Sequence, residues 1–232
     1  MKYAGIVFDK DGTLLDFNKT WLPTYLIAAR EVAGEDAALA QQLLESHGYD
    51  AQQQRFRSGS LLAAGNNDEI AFAWAEQTGQ QQRGEQFSQR LYQIFNLEAG
   101  RQATAVSGLK ATLTALKLSG VKLGVATADS HQGILNTLQA FDVLGDFDFL
   151  AGYDSGHGAK PGSGMVDAFC REMQLPAEAV MVVGDNRHDI EMGRNAGAGL
   201  CVGVLTGTST RADLEDLADI VLEDIRGIPA LI

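Results

Sequence analysis

Cysteine is scarce in this chain of 232 residues: only Cys170 and Cys201 occur, in unrelated contexts and without a C-x-x-C pair, so no disulfide framework is implied. Positive charge is short as well. Lysine and arginine together number 18 against 30 aspartates and glutamates, which leaves a formal net charge of -12 and a pI near 4.7. Such a surface repels nucleic-acid backbones and anionic lipid headgroups, and neither is expected as a partner. It also repels small anions at long range, so a phosphate site would need local help from a lysine, a cation or backbone N–H groups. Long apolar runs are missing. The stretch before Asp9 is too short for a signal peptide, and nothing approaches the ~20 residues of a membrane span. His47, His131, His157 and His188 are scattered without ligand spacing, and no zinc site is expected. What is present is ordinary globular composition, 45% hydrophobic and 21% charged, in a chain long enough to bury a substantial core unaided. These bulk properties describe a cytoplasmic enzyme or binding protein.

Four short apolar runs, Gly5–Phe8, Val121–Ala126, Val180–Val183 and Leu200–Val204, read as buried parallel strands, because each is rich in β-formers and stops at turn-forming or polar residues. Phe147–Leu150 and Asp219–Leu222 add two shorter candidates. Helical periodicity lies between them, at Leu109, Leu113 and Leu116, at Ile134, Leu135 and Leu138, at Met165, Phe169 and Met173, and from Asp189 to Ala196. That alternation predicts an α/β fold, a doubly wound and mostly parallel sheet covered on both faces. It breaks between Phe17 and Thr104. Only helical spacing is found there, as in Trp21, Tyr25 and Ala28 or Phe87, Leu91 and Ile94, punctuated by Gly34, Gly48, Gly65 and Gly79. The expected organisation is a core of residues 1–16 and 105–232, with a helical cap of residues 17–104 inserted after the first strand.

The first strand delivers Asp9-Lys10-Asp11-Gly12-Thr13. In an open α/β sheet, ligands bind beyond the carboxyl ends of the strands. Two carboxylates two residues apart suit a divalent cation there, and Mg²⁺ prefers such hard oxygen ligands while keeping several waters. The second strand ends at Thr127-Ala128-Asp129-Ser130, a hydroxyl followed by the free N–H groups of a helix start, which makes an anion-binding corner. Lys160 sits in the glycine-rich loop Gly156–Gly164, where an ammonium could neutralise phosphate charge. The next strand ends at Gly184-Asp185, with Asp189 one helical turn further on, so both can face one cavity. Each feature has an ordinary reading by itself: a D-G turn, a capped helix, a surface lysine, acidic residues in a first helical turn. Together they present an acidic pair, a hydroxyl, a lysine and a second acidic pair at one sheet edge. Independent capping does not produce that complementary set.

On these motifs the chain resembles the haloacid dehalogenase-like superfamily of hydrolases, in the phosphoglycolate-phosphatase-like branch with a helical cap after the first strand. D-x-D-G-T is met by Asp9 to Thr13, and G-D-x-x-x-D by Gly184 to Asp189. The resemblance implies that Asp9 is the nucleophile and a metal ligand, and that Asp11 is the general acid and base, with its backbone carbonyl on the metal. It further implies Thr127, Ala128 and Lys160 around phosphate, and Asp185 and Asp189 as further ligands of Mg²⁺. The implied activity is hydrolysis of a small phosphorylated metabolite, a phosphoglycolate-like or sugar phosphate, through an aspartyl-phosphate. Two positions depart from the family pattern. Lys10 stands where an apolar residue is usual, and its backbone N–H is expected to touch phosphate while its side chain points elsewhere. The lysine loop reads K-P-G-S-G rather than K-P-x-P. Asp11 disfavours dehalogenase chemistry, and the absence of lysine between Trp21 and Thr104 disfavours the Schiff base of a phosphonatase.

A cap of this kind is expected to exclude water and contact the leaving group. Arg55 and Arg57 are the candidates for reading a second anionic group, against the alternative of solvated surface arginines. Trp21, Phe72 and Trp74 are expected in the cap core. Two rivals stay open: a phosphosugar mutase of the same fold, and a non-catalytic binding or scaffold protein.

Overall fold

Strands that are apolar on both faces need helices above and below them. The computed structural model, which describes residues 2–232, arranges the chain in that way; Met1, the first residue of the expected core, lies outside the described residues. After β1 (Gly5–Phe8) the chain leaves the sheet for α1 (Phe17–Val32), α2 (Ala37–Ser46), a hairpin of β2 (Tyr49–Asp50) and β3 (Arg55–Phe56), α3 (Leu61–Ala64) and α4 (Asn67–Gln77). Helix α5 (Gly84–Ile94) then runs through a π-helical turn at Phe95–Ala99 into α6 (Gly100–Gln102). The sheet resumes with α7 (Leu109–Leu118), β4 (Lys122–Ala126), α8 (His131–Leu138), β5 (Phe149–Ala151), α9 (Gly164–Met173) and β6 (Val180–Gly184). It ends with α10 (Arg187–Ala196), β7 (Leu200–Val204), α11 (Arg211–Leu214) and β8 (Ile220–Leu222).

Each expected strand is present, with shifts at the ends. β5 starts later than the apolar run because Phe147 still closes the turn before it, donating its N–H to the Leu144 carbonyl at 3.2 Å. The insert was expected to be purely helical, and the β2–β3 hairpin corrects that. Strands of two residues are too short to show an alternating pattern.

All six core strands pair in parallel, in the order β5-β4-β1-β6-β7-β8. The chain from β1 goes first to the β4 side and later crosses to the β6 side, so β1 is the switch point where a crevice opens at the carboxyl ends. Alternation along the strands assigns Ile6 and Phe8 to one face, packed with Leu113 of α7 and Ile134 of α8, and Val7 to the other, packed with Phe169 of α9 and Met192 of α10. Phe169 lies so close to the sheet that a Cβ on either Gly5 or Gly124 would come within 2.7 Å of its ring.

The helical insert has a cluster of its own, built on Phe17, Trp21, Tyr25, Phe56, Trp74 and Phe95. Its aromatic rings meet mostly edge to face, with centroids 5.2–5.5 Å apart. Trp74 is fully buried there as expected, but Phe72 is 48% exposed. Helix α4 buries Ile70, Ala71, Trp74 and Ala75, and Phe72 sits off that stripe, against Gly84 at the start of α5. Among the described residues, no helix is long and apolar enough to cross a membrane.

Candidate active site

The register pairs Phe8 with both Val125 and Val183, so β4, β1 and β6 end at the same level. Asp9 donates its N–H to the Val183 carbonyl at 2.8 Å, which locks its backbone to β6 just before its side chain clears the sheet. The chain then turns at Gly12, whose φ of +96° lies in the left-handed region; a Cβ there would strike the Asp185 carboxylate at 2.5 Å. Only glycine lets the segment after β1 and the one carrying Asp185 approach this closely. The loop after β7 braces the same corner. The Thr206 hydroxyl donates to the Gly12 carbonyl at 2.6 Å, and the Thr208 N–H donates to Asp185 Oδ2 at 2.9 Å. Sequence reasoning missed this loop, although the polar run Thr206-Gly207-Thr208-Ser209 at a strand end carried the signal.

Lys160 enters from the glycine-rich loop, buried, and its ammonium donates to Asp9 Oδ1 and Asp189 Oδ1, both at 2.6 Å. The other oxygen of Asp189 accepts the Asn186 N–H at 2.9 Å, half of the capping box that starts α10. Asp9, Asp185 and Asp189 are all buried, and each offers an oxygen within 4.8 Å of those of the other two. Only one ammonium lies among these three buried carboxylates, and it bonds to Asp9 and Asp189 but not to Asp185. Uncompensated charge at that depth is costly, and a divalent cation would offset it; the all-oxygen donor set suits a hard ion such as Mg²⁺. The acidities report the same shortage of positive charge. Burial raises Asp9 to about 7; Lys160 opposes the shift, and Asp189 and Asp11 add to it. Asp185 stands well above its ordinary value, pushed by burial and then by the charges of Asp9 and Asp189.

A second charge cluster lies beside the first. Lys10 is fully buried, with Nζ 2.7 Å from Asp11 Oδ2, 3.0 Å from Asp129 Oδ2 and 5.7 Å from the centroid of the Trp21 ring. The side chain therefore does not point away from the site, as expected from sequence, but into its wall. A buried ammonium needs carboxylates around it, and Asp129 at the end of β4 supplies the second one. Burial works against the charge of Lys10, yet Asp11 and Asp129 outweigh it and hold the ammonium above its ordinary range. Asp129 itself is raised by burial, with Lys10 opposing and Asp11 adding. In the sequence Asp129 reads only as a residue of a helix start.

Above both clusters opens a solvent-connected cleft. Asp9, Asp11, Thr127, Ala128, Lys160, Asp185 and Asp189 all line it, so the structure gathers every expected core residue in one place. Asp11 is not in the three-carboxylate group, because its side chain turns to Lys10. His188 borders the cleft too, whereas His131 does not. The cap contributes chiefly Phe17, Trp21, Tyr25, Leu62, Ile70 and Phe95. Trp21 therefore has a second role beyond the cap core.

Arg55 and Arg57 are not in this lining, which corrects the expectation that they read the substrate. Phe56 between them is buried in the cap, so alternation turns both arginines to solvent, and Arg57 Nη2 donates to the Glu45 carbonyl at 2.9 Å. The insert and the sheet are tied at the cleft by Ser130 Oγ donating to Asn96 Oδ1 at 3.2 Å, and away from its lining by the Ser58 and Ser209 hydroxyls 3.0 Å apart.

A model of the haloacid dehalogenase-like hydrolase family matches residues 3–197. The chain is 24% identical over 196 residues to pyrophosphatase PpaX of Listeria monocytogenes serotype 4a, covering 84% of this chain and 80% of that one. It is 27% identical over 198 residues to phosphoglycolate phosphatase of Vibrio cholerae serotype O1, covering 83% and 80%. Among solved structures it is similar to a predicted phosphoglycolate phosphatase from Haemophilus somnus 129pt, with a TM-score of 0.76 and 20% identity over all of this chain and 98% of that one. At that identity the likeness shows the fold.

Proposed function

This chain belongs to the haloacid dehalogenase-like hydrolases, and from that premise we propose that it is a magnesium-dependent phosphatase of small phosphate monoesters, phosphoglycolate-like or sugar phosphates, working through phosphorylated Asp9. One observation carries the reading. Asp9 lines the cleft while sharing Lys160 with Asp189 and a cation-sized gap with Asp185 and Asp189.

The chemistry divides into two displacements, each easier than direct attack of water on a phosphate monoester. An oxygen of Asp9 attacks phosphorus; the Asp9 O–P bond forms as the bond from phosphorus to the leaving oxygen breaks. Asp11 gives its proton to that oxygen, so the alcohol departs neutral. Asp11 Oδ2 is held by Lys10, whereas its Oδ1 is buried without a partner, so Oδ1 is the oxygen free to carry the proton. A water molecule then attacks the phosphorylated Asp9. Asp11 takes a proton from the water, the new O–P bond forms, the Asp9 O–P bond breaks, and inorganic phosphate leaves with the Asp9 carboxylate restored.

Lys160 orients Asp9 and offsets charge on the phosphoryl oxygens throughout, while Thr127 and the Ala128 N–H complete their hydrogen bonding. Asp9, Asp185, Asp189 and the Asp11 backbone carbonyl would hold Mg²⁺, which when bound supplies the positive charge that lets an anionic nucleophile meet an anionic substrate. The cap covers one side of the cleft and so limits the access of bulk water. We take residues 1–16 and 105–232 as the catalytic core and 17–104 as the cap, supported by the separate hydrophobic cluster of the insert, and we place the enzyme in the cytoplasm.

The test is phosphate release from a chromogenic aryl phosphate. The wild-type chain is expected to require a divalent cation, and folded Asp9→Asn is expected to be inactive. Substantial hydrolysis by folded Asp9→Asn would refute the nucleophile assignment. Release of inorganic phosphate without activation by a bisphosphorylated sugar separates a phosphatase from a mutase.

A further inference from the structure

One buried charge beside the nucleophile has no part in the two displacements. Lys10 is fully buried, and among the described residues its ammonium pairs with Asp11 and Asp129 rather than with the three-carboxylate group. Burying an ammonium is costly, and an apolar side chain would fill the space without that cost.

The two partners of Lys10 are unequal. Asp129 is fixed from several sides. Its Oδ1 accepts the Ser130 N–H at 2.7 Å, its own N–H donates to Thr127 Oγ at 3.1 Å, and its carbonyl accepts the Tyr153 N–H at 3.0 Å. Its carboxylate also lies so close to the first turn of α8 that a Cβ on Gly133 would collide with it. Asp129 is thus an anchor built into the start of α8. The Asp11 carboxyl group has no comparable support: Oδ2 lies 2.7 Å from Lys10 Nζ, and Oδ1 has no partner. The ammonium therefore bridges a rigid carboxylate to an otherwise unheld one. The Trp21 ring of α1 flanks it from the cap, with its centroid 5.7 Å from Nζ.

If the chain is the phosphatase proposed above, with Asp11 as acid and base, we infer that Lys10 and Asp129 are positioning residues for proton transfer. The ammonium, anchored by Asp129, holds Asp11 Oδ2 and so keeps the carboxyl group in one orientation towards the leaving oxygen and later the attacking water. The proton passes from Asp11 to the leaving oxygen in the first displacement and returns from the water in the second; Lys10 keeps its own protons throughout. Misplacing a catalytic group by about 1 Å costs roughly 10²-fold, which lies within the roughly 10²–10⁴ that general acid–base catalysis contributes.

Such a role has a signature that a merely structural one lacks, a dependence on the leaving group. p-Nitrophenolate departs without a proton, whereas an alkoxide needs one. The test measures kcat/KM with Mg²⁺ for p-nitrophenyl phosphate and a panel of alkyl and sugar monophosphates, because kcat/KM ends at departure of the leaving group. Wild type is compared with Lys10→Met/Asp129→Asn, its fold checked by circular dichroism. The double substitution removes one charge of each sign, so it stays measurable even if Lys10→Met by itself unfolds. The best alkyl ester is expected to lose about 10²-fold and p-nitrophenyl phosphate less than roughly fivefold. Asp129→Asn alone keeps an oxygen for the Ser130 N–H but loosens the anchor of the ammonium. It should show the same pattern at about tenfold, and it decides the matter if the double variant is unfolded. Equal losses on both classes of ester, or no loss, overturn the inference. So does a gain on alkyl esters, the result expected if Lys10 only held Asp11 ionised, and so does a wild type that hydrolyses the aryl ester but no alkyl ester. In each of these cases phosphate is still released and the phosphatase reading survives. If the wild type releases phosphate from no substrate, both fall together.

Discussion

Asp185→Asn is expected to make the metal-free protein more stable while abolishing most of its response to divalent cations. The magnitude follows from the three-carboxylate group. Asp185 has an oxygen within 4.8 Å of Asp9 and Asp189, and Lys160 bonds to those two but not to Asp185. Unit charges at that separation interact by roughly 3 kcal/mol at an effective dielectric constant of about 20. Two repulsions partly offset by the nearby ammonium leave a net penalty on the order of 3 kcal/mol for ionised Asp185. Asparagine keeps the shape and an oxygen for the Thr208 N–H, so the substitution removes charge and little else. For a chain of this size, about 2–4 °C accompanies each kcal/mol, which predicts a gain of roughly 6–12 °C.

The sign of the pH dependence is fixed by the direction of the Asp185 shift, which is upward from 3.8. Stability from its neutral form is fully present below that value and is lost as pH rises towards the raised one. The advantage of Asp185→Asn should therefore be small near about pH 4 and grow towards about pH 8. Thermal unfolding in chelator across that range reads it directly. Adding millimolar Mg²⁺ at the alkaline end should raise the melting temperature of the wild type and scarcely move that of the variant. A variant less stable than the wild type throughout, or an advantage independent of pH, would refute the charge-shortage account of the site.

Asp9→Asn is expected to lose roughly 10³-fold or more in kcat with its circular dichroism spectrum unchanged, because the phosphoryl acceptor is gone while the site keeps its shape. Lys10→Met should cost about 3–5 kcal/mol in urea unfolding, since it strands Asp11 and Asp129 as buried carboxylates without their cation; a cost below about 1 kcal/mol would show that the cluster is solvated. Arg55→Ala and Arg57→Ala should leave kcat/KM within roughly twofold for every substrate, as expected of exposed residues outside the cleft.

Much of the site was legible because its chemistry is local. Asp9, Thr127 and Asp185 each follow directly on an apolar run, and a strand that ends in a polar residue places it at the crevice whatever the rest of the chain does. The glycine-rich surroundings of Lys160 announced a loop. The β2–β3 hairpin was hidden by its length, and the exposure of Phe72 by a helical stripe that could be phased in more than one way. Arg55 and Arg57 flank an aromatic residue, and which way they face is set by where Phe56 packs.

The amino-acid order by itself determined the strands, the place of the insert and the identity of the acidic, hydroxyl and ammonium groups, because each depends on neighbours a few residues away. Only the folded chain decided how those charges are shared. Asp129 joins Lys10 because β4 lies beside β1, and Asp185 is left without an ammonium because Lys160 reaches Asp9 and Asp189 instead. Coulomb energies depend on distances across the sheet, and no spacing along the chain records those.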